Sequence, residues 1–273
     1  MTGVDARARP SRSVLLPVVV VLAVLLVVLT ACAGPRGAGS SGGGTGATNA
    51  SGDVVWRAGS TRDTVLDAFR VTPWNTDDAE DPRAVDSPDV GGRAALAFTV
   101  PGGGTRSELE PGFRSFREGD RFFFGLGIYL PADFPTETSD WQLVAQWKNG
   151  GDGSPPLSVK VQRGRFVLDG GAGIDESWQR DIGPAPAGRR TDLVVGVRFS
   201  SDPDEASVDV WRDGDAAVSG YHPRGGTLYP DEVSYLKVGL YRSSDIDQDG
   251  TVYYDDVTIA RTREAASSLA GAT

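Results

Sequence analysis

The chain has 273 residues, with 36 glycines, 17 prolines, 39% hydrophobic and 8% aromatic residues, and a net charge of −10 at pH 7. So acidic a chain lacks the basic footprint of a nucleic-acid binder, and so much Gly and Pro excludes a largely helical protein. An anionic partner fits only where basic residues cluster locally in a cleft.

Arg7, Arg9 and Arg12 make a positive start, followed by an almost unbroken apolar run over residues 14–29. That run is short for a membrane span and right for the core of an export signal. It ends in Leu29, Thr30, Ala31 and Cys32, which resemble the lipobox of bacterial lipoprotein signals. The resemblance implies a signal peptide over residues 1–31, a lipid on the Cys32 thiol, and attachment to the extracytoplasmic face of the cell membrane. Loss of the signal, with its net +2 from the three arginines and Asp5, takes the mature charge from −10 to about −12. Residues 32–53 are a linker, nearly all Gly, Ser, Ala and Thr after the cysteine, and reach roughly 25 Å root-mean-square. Cys32 is the one cysteine, so the domain over residues 54–273 has no disulfide.

Beyond the linker the pattern has period two or short apolar runs, broken by Gly, Pro and Asp. Strands are expected at 65–71, 94–100, 121–130, 141–147, 157–162, 165–169, 192–199, 207–212, 235–241 and 252–260. Arg163-Gly164 and Asp213-Gly214 mark tight turns, and the last ten residues read as a frayed tail. About ten strands at this spacing predict an all-β, two-sheet antiparallel β-sandwich of jelly-roll type.

Three segments place polar residues on one face of a strand. In 105–110, Arg106, Glu108 and Glu110 point the same way. In 141–148, Gln142, Val144, Gln146 and Lys148 share a face, with Trp147 turned inward. In 235–242, Tyr235, Lys237, Gly239 and Tyr241 do, and the glycine leaves room for a ligand beside Tyr241.

These segments resemble the signature strands of jelly-roll alginate lyases, and the closing Val252-Tyr253-Tyr254-Asp255-Asp256 is more like the heparin-lyase-like and glucuronan-lyase branch. The resemblance covers residues 65–261. It implies a concanavalin A-like sandwich that binds a uronate-containing polysaccharide as a monomer and cleaves it by β-elimination. Arg106 and Gln146 then neutralise the uronate carboxylate, Tyr241 is the acid and a candidate base, and Glu108, Gln142, Lys237 and Arg242 bind substrate. Many such lyases carry Gln-x-His on the second strand, where this chain has Gln146-Trp147-Lys148. Lys148 is thus a second candidate base, and His222, the single histidine, a third.

Asp245, Asp247 and Asp249, followed by Gly250, have the spacing of an EF-hand loop, with Asp256 at its last position. This predicts a structural Ca²⁺ site, although strands flank the loop. Two other functions fit the same fold. One is a non-catalytic carbohydrate-binding lipoprotein. The other is a glycoside hydrolase, for which Glu108 and Glu110 are the only carboxylate pair on one face.

Overall fold

The computed structural model describes residues 53–70, 72, 75–151, 153–171 and 177–267. The expected signal, Cys32 and nearly all of the linker lie outside the described residues.

Sixteen strands form among the described residues. In chain order they are β1 (Val54–Arg57), β2 (Phe69–Arg70), β3 (Thr76–Asp77), β4 (Arg83–Asp86), β5 (Ala94–Val100), β6 (Arg106–Pro111), β7 (Arg121–Leu130) and β8 (Gln142–Asn149). Next come β9 (Leu157–Gln162), β10 (Arg165–Gly170), β11 (Trp178–Pro184), β12 (Arg189–Arg198), β13 (Ser207–Arg212), β14 (Asp215–Tyr221), β15 (Ser234–Arg242) and β16 (Gly250–Ala260). Two one-turn helices, α1 (Arg62–Val65) and α2 (Arg263–Ala266), complete the elements.

The strands make two antiparallel sheets, as the alternating pattern predicts. The back sheet runs β14-β13-β12-β7-β16-β5-β4, with β1 beside β16. The front sheet runs β11-β10-β9-β8-β15-β6-β2, with β3 also on β6. Between them lies one continuous core. Phe124 and Trp147 meet edge-on at 5.0 Å, and Phe116 stacks on Phe199 at 4.7 Å. Each such fully buried aromatic stabilises the fold by about 1.5–3 kcal/mol through area removed from water.

The two tight turns form as expected. Arg163 and Gly164, at φ 52° and 71°, close β9 onto β10, and Asp213 and Gly214 close β13 onto β14 at 52° and 91°. Two positive φ values in a two-residue loop match the twist of the paired strands.

Three expectations change. The expected strand at 65–71 is instead, over its described residues, the end of a helical turn (Arg62–Val65) followed by the two-residue strand β2, with Val65 and Phe69 both buried. β11 and β14 were not expected. Their side chains are mostly exposed, so neither carries a strong apolar alternation, and both lie at sheet edges.

The third change concerns calcium. Gly250 already begins β16, and an extended chain carries Asp256 about 20 Å farther on. A register shift between Tyr254 and Asp256 turns Asp255 and Asp256 to the same outer face. There Arg190 Nε donates to both Asp255 oxygens at 2.9 Å, and Asp256 accepts from Thr258 at 3.0 Å. Asp249 accepts instead from the Gly102 amide at 2.8 Å. Asp245, Asp247, Asp249 and Asp256 therefore do not converge, and among the described residues no group of three or more His, Cys, Asp or Glu side chains could hold a metal ion.

Burial pushes the Asp256 carboxyl above the ordinary range, against the pull of Arg57 and Thr258. A carboxyl raised by folding adds stability at pH below its unfolded value, and that stability is lost as pH rises through the folded value. Asp256→Asn, neutral at every pH, is therefore expected to raise the melting temperature at pH 7, with a gain that shrinks as pH falls into the ordinary carboxylate range. Thermal melts at several pH values, with and without Ca²⁺, check both this and the absence of a metal effect.

Candidate active site

Five adjacent strands of the front sheet, β6, β15, β8, β9 and β10, turn side chains into one cavity of about 590 Å³. Register decides which ones. One row across the sheet aligns Arg106, Tyr241, Leu143 and Lys160. A second aligns Lys237, Gln146, Ser158 and Asp169.

Two register shifts set these rows. β8 carries an extra residue against β9 between Leu143 and Ala145, and β15 carries one against β8 between Val238 and Tyr241. The Tyr254 hydroxyl, reaching across from the back sheet, donates to the Val144 carbonyl and lies 3.3 Å from the Gly239 carbonyl. It supplies a donor where the ladder is broken. Gly239 has φ 142°, and a Cβ there would lie 2.3 Å from the Ser107 carbonyl oxygen, so no other residue fits. Burial pushes the Tyr254 phenol far above its usual value, which keeps it a donor.

The bulge corrects one expectation. Strict alternation puts Gln142 on the face of Gln146. The extra residue reverses the phase, so Leu143 lines the cavity and Gln142 is fully buried, donating to the Pro135 carbonyl at 2.9 Å. Arg242 also leaves the site. It follows Tyr241 on an extended strand and so faces the other way, donating at 2.8 Å to the carbonyls of Val100 and Pro101. Its burial pulls the guanidinium below its ordinary value, with Asp249 opposing. His222 is exposed beyond the end of β14, the edge of the back sheet, with Nδ1 3.2 Å from the Pro203 carbonyl, and does not line the cavity.

Arg106, Gln146, Lys148, Lys237 and Tyr241 do come together around the cavity. The Arg106 guanidinium stacks 4.1 Å from the centre of the Tyr241 ring, and Trp141 meets the same ring edge-on at 4.9 Å. The phenol is thus clamped on two sides, its face under a positive charge. Gln146 Nε2 donates to Glu108 Oε1 at 2.5 Å, and Lys237 Nζ lies 3.4 Å from Glu108 Oε2 and 2.5 Å from Asn75 Oδ1. Glu108 is only 3% exposed, so it holds its neighbours from beneath. Lys148 Nζ donates to Asn149 Oδ1 and the Gly151 carbonyl, both at 3.0 Å. It ties down the loop whose Gly151, Gly153, Ser154 and Pro155 form one wall, and Tyr229 donates to the Ser154 carbonyl from the other side. Burial, with Glu110 and Glu108 nearby, pushes the Tyr235 phenol up, so it keeps its proton at neutral pH.

Sequence reasoning missed Lys160, Gln162 and Asp169, which also line the cavity. The signal was present: Ser158, Lys160 and Gln162 alternate with buried Leu157, Val159 and Val161 on β9. It missed Asn75 as well, which sits in an irregular stretch with no pattern to read. The site thus gathers four cations, Arg106, Lys148, Lys160 and Lys237, against Glu108 and Asp169, in a chain of net charge −10.

A polysaccharide lyase family model matches residues 59–258, which include nearly every strand described. The chain belongs to the polysaccharide lyase family. This lyase has the fold of an endo-β-1,4-glucuronan lyase from the fungus Trichoderma reesei, with a TM-score of 0.63 at 19% identity over 78% of this chain and 98% of that one. The binding domain of a Paraclostridial mosquitocidal protein matches with a TM-score of 0.54 at 11% identity, over 80% of the lyase and 52% of that chain. A cellulose induced protein matches with a TM-score of 0.52 at 12% identity, over 72% and 92%. Among curated proteins none matches the lyase in sequence.

Replacing Tyr254 by Phe leaves the Val144 and Gly239 carbonyls without that donor. The expected loss is about 1–3 kcal/mol of stability, read by urea denaturation.

Proposed function

We propose that this lyase cleaves a polyuronate by β-elimination, with Tyr241 as both base and acid. The observation that carries the proposal is the cluster of three cations, Arg106, Lys148 and Lys237, on the Tyr241 side of the cavity, on a protein otherwise acidic enough to repel a polyanion. The proton on C5 of a uronate is only weakly acidic, and its removal builds charge on the adjoining carboxylate. Donors aimed at that carboxylate stabilise the transition state more than the ground state.

Arg106 and Gln146 supply those donors. Gln146 gives one N–H to Glu108 and retains a second. The Tyr241 phenolate, beneath the Arg106 charge, takes the C5 proton. The C5–H electron pair forms the C4=C5 double bond as the C4–O4 bond breaks, and the tyrosine proton passes to O4. The phenolate is thereby restored, and no other acid or base is needed. Lys148, whose ammonium is held by two carbonyl acceptors, serves as a cationic wall rather than the base.

The solved structure of a β-1,4-glucuronan lyase with this fold favours β-1,4-linked glucuronate as substrate. Cleavage would take place outside the cytoplasm, on a protein held to the cell membrane by lipid on Cys32; the Leu29-Thr30-Ala31-Cys32 motif and the tether behind it support that placement.

Incubating the full chain with glucuronan, alginate and a neutral glucan, and following ultraviolet absorbance of the unsaturated product, tests the reaction. A hydrolase would give reducing ends without the chromophore, and a binding protein neither. Tyr241→Phe is expected to lower the rate about 10²–10⁴-fold with the fold intact, whereas His222→Ala leaves it within about twofold. Cys32→Ala is expected to move the protein from the detergent phase to the aqueous phase in a phase-partition assay.

A further inference from the structure

Lys160 and Asp169 lie away from Tyr241 on the same floor. Lys160 is two strands along the row from Tyr241, and Asp169 one strand farther, so they stand about 10–14 Å away, roughly two or three sugar residues along an extended chain crossing the strands. The Lys160 ammonium meets Asp169 Oδ2 at 2.8 Å, with side chains 7% and 26% exposed. Ser158 Oγ donates to Asp169 Oδ1 at 3.1 Å and Gln179 Nε2 to Oδ2 at 3.2 Å. A carboxylate has about four acceptor positions, so these three donors fix Asp169 and leave capacity on the side open to the cavity.

This pair differs in kind from the cations around Tyr241. Its charges cancel at contact distance, and a substrate carboxylate brought near it would face Asp169. What it offers is an N–H donor beside a carboxylate acceptor, and Gln162 adds an amide at the same end. A sugar hydroxyl donates and accepts at once, which an anion cannot do.

We infer that Lys160 and Asp169 form a distal subsite that reads the hydroxyls, not the carboxylate, of a sugar residue two or three units from the bond cleaved. The inference rests on the polyuronate reading above and adds to it that the enzyme favours long chains. A pair with only a structural role would affect every substrate alike. A subsite affects only substrates long enough to reach it.

The test uses the full chain and glucuronate oligosaccharides of defined length. Asp169→Asn keeps the shape and removes the strong acceptor, and Lys160→Gln removes the ammonium. Each is expected to lower kcat/KM for the hexasaccharide about tenfold, mainly through KM, and to leave the trisaccharide within about twofold. Equal losses at both lengths, or no loss at either, overturn the subsite. Should the wild type cleave no uronan, the lyase reading on uronates fails instead. Calorimetric binding of the same two oligosaccharides then reads the subsite, which stands if Asp169→Asn weakens the long ligand alone and falls otherwise.

Discussion

Everything at this site depends on the phase of two strands, and that phase is held by one buried phenol. β8 and β15 each carry an extra residue in mid-strand, which leaves carbonyls without a regular ladder partner. The Tyr254 hydroxyl comes from the opposite sheet to serve them. A one-residue slip in either strand turns every side chain to the other face. The pairing of Tyr241 with Arg106 on one side and Leu143 on the other is therefore a statement about hydrogen bonds in the core as much as about the groove. The lack of any side chain at Gly239 belongs to the same device, since β15 passes too close to β6 for a Cβ.

On that floor the charges are sorted rather than merely collected. Glu108, nearly out of contact with water, takes one donor from Gln146 and faces Lys237. A buried lysine is tolerable only with such a partner. Arg106, in contrast, lies over the Tyr241 ring, where it fixes the phenol and presents positive charge to whatever sits above. Lys148 grips a loop carbonyl, and Lys160 grips Asp169. The four cations thus have four different neighbours, and each neighbour decides what its cation can offer a ligand.

The sandwich was legible in the sequence because its strands read as alternating segments or short apolar runs between Gly, Pro and Asp, and β5, β7, β9 and β13 fall where those segments put them. Arg106, Gln146 and Tyr241 were legible as residues of one groove because each stands among the polar residues that its strand segment places on one face. Gln142 was misread where local counting failed, and Arg242 was placed at the site although counting turns it away from Tyr241's face. One lies before a bulge that a single sequence does not announce, and the other follows Tyr241 and so faces inward. The aspartate loop was misread because the spacing of acidic residues says nothing about whether the chain then curls or runs straight, and here it runs straight into β16. Asn75 has no periodicity around it, so only its contact with Lys237 reveals it.

The contrast between an acidic exterior and a basic floor has a kinetic consequence. A polyanionic chain approaching a body of net charge −10 is repelled at long range, and attraction begins only at the mouth of the groove. Dissolved salt screens the first force over a Debye length of about 10 Å at 0.1 M, while partly buried contacts are screened far less. Moderate ionic strength therefore helps the two molecules meet before it begins to loosen their grip, so turnover of such a polymer passes through a maximum with added salt.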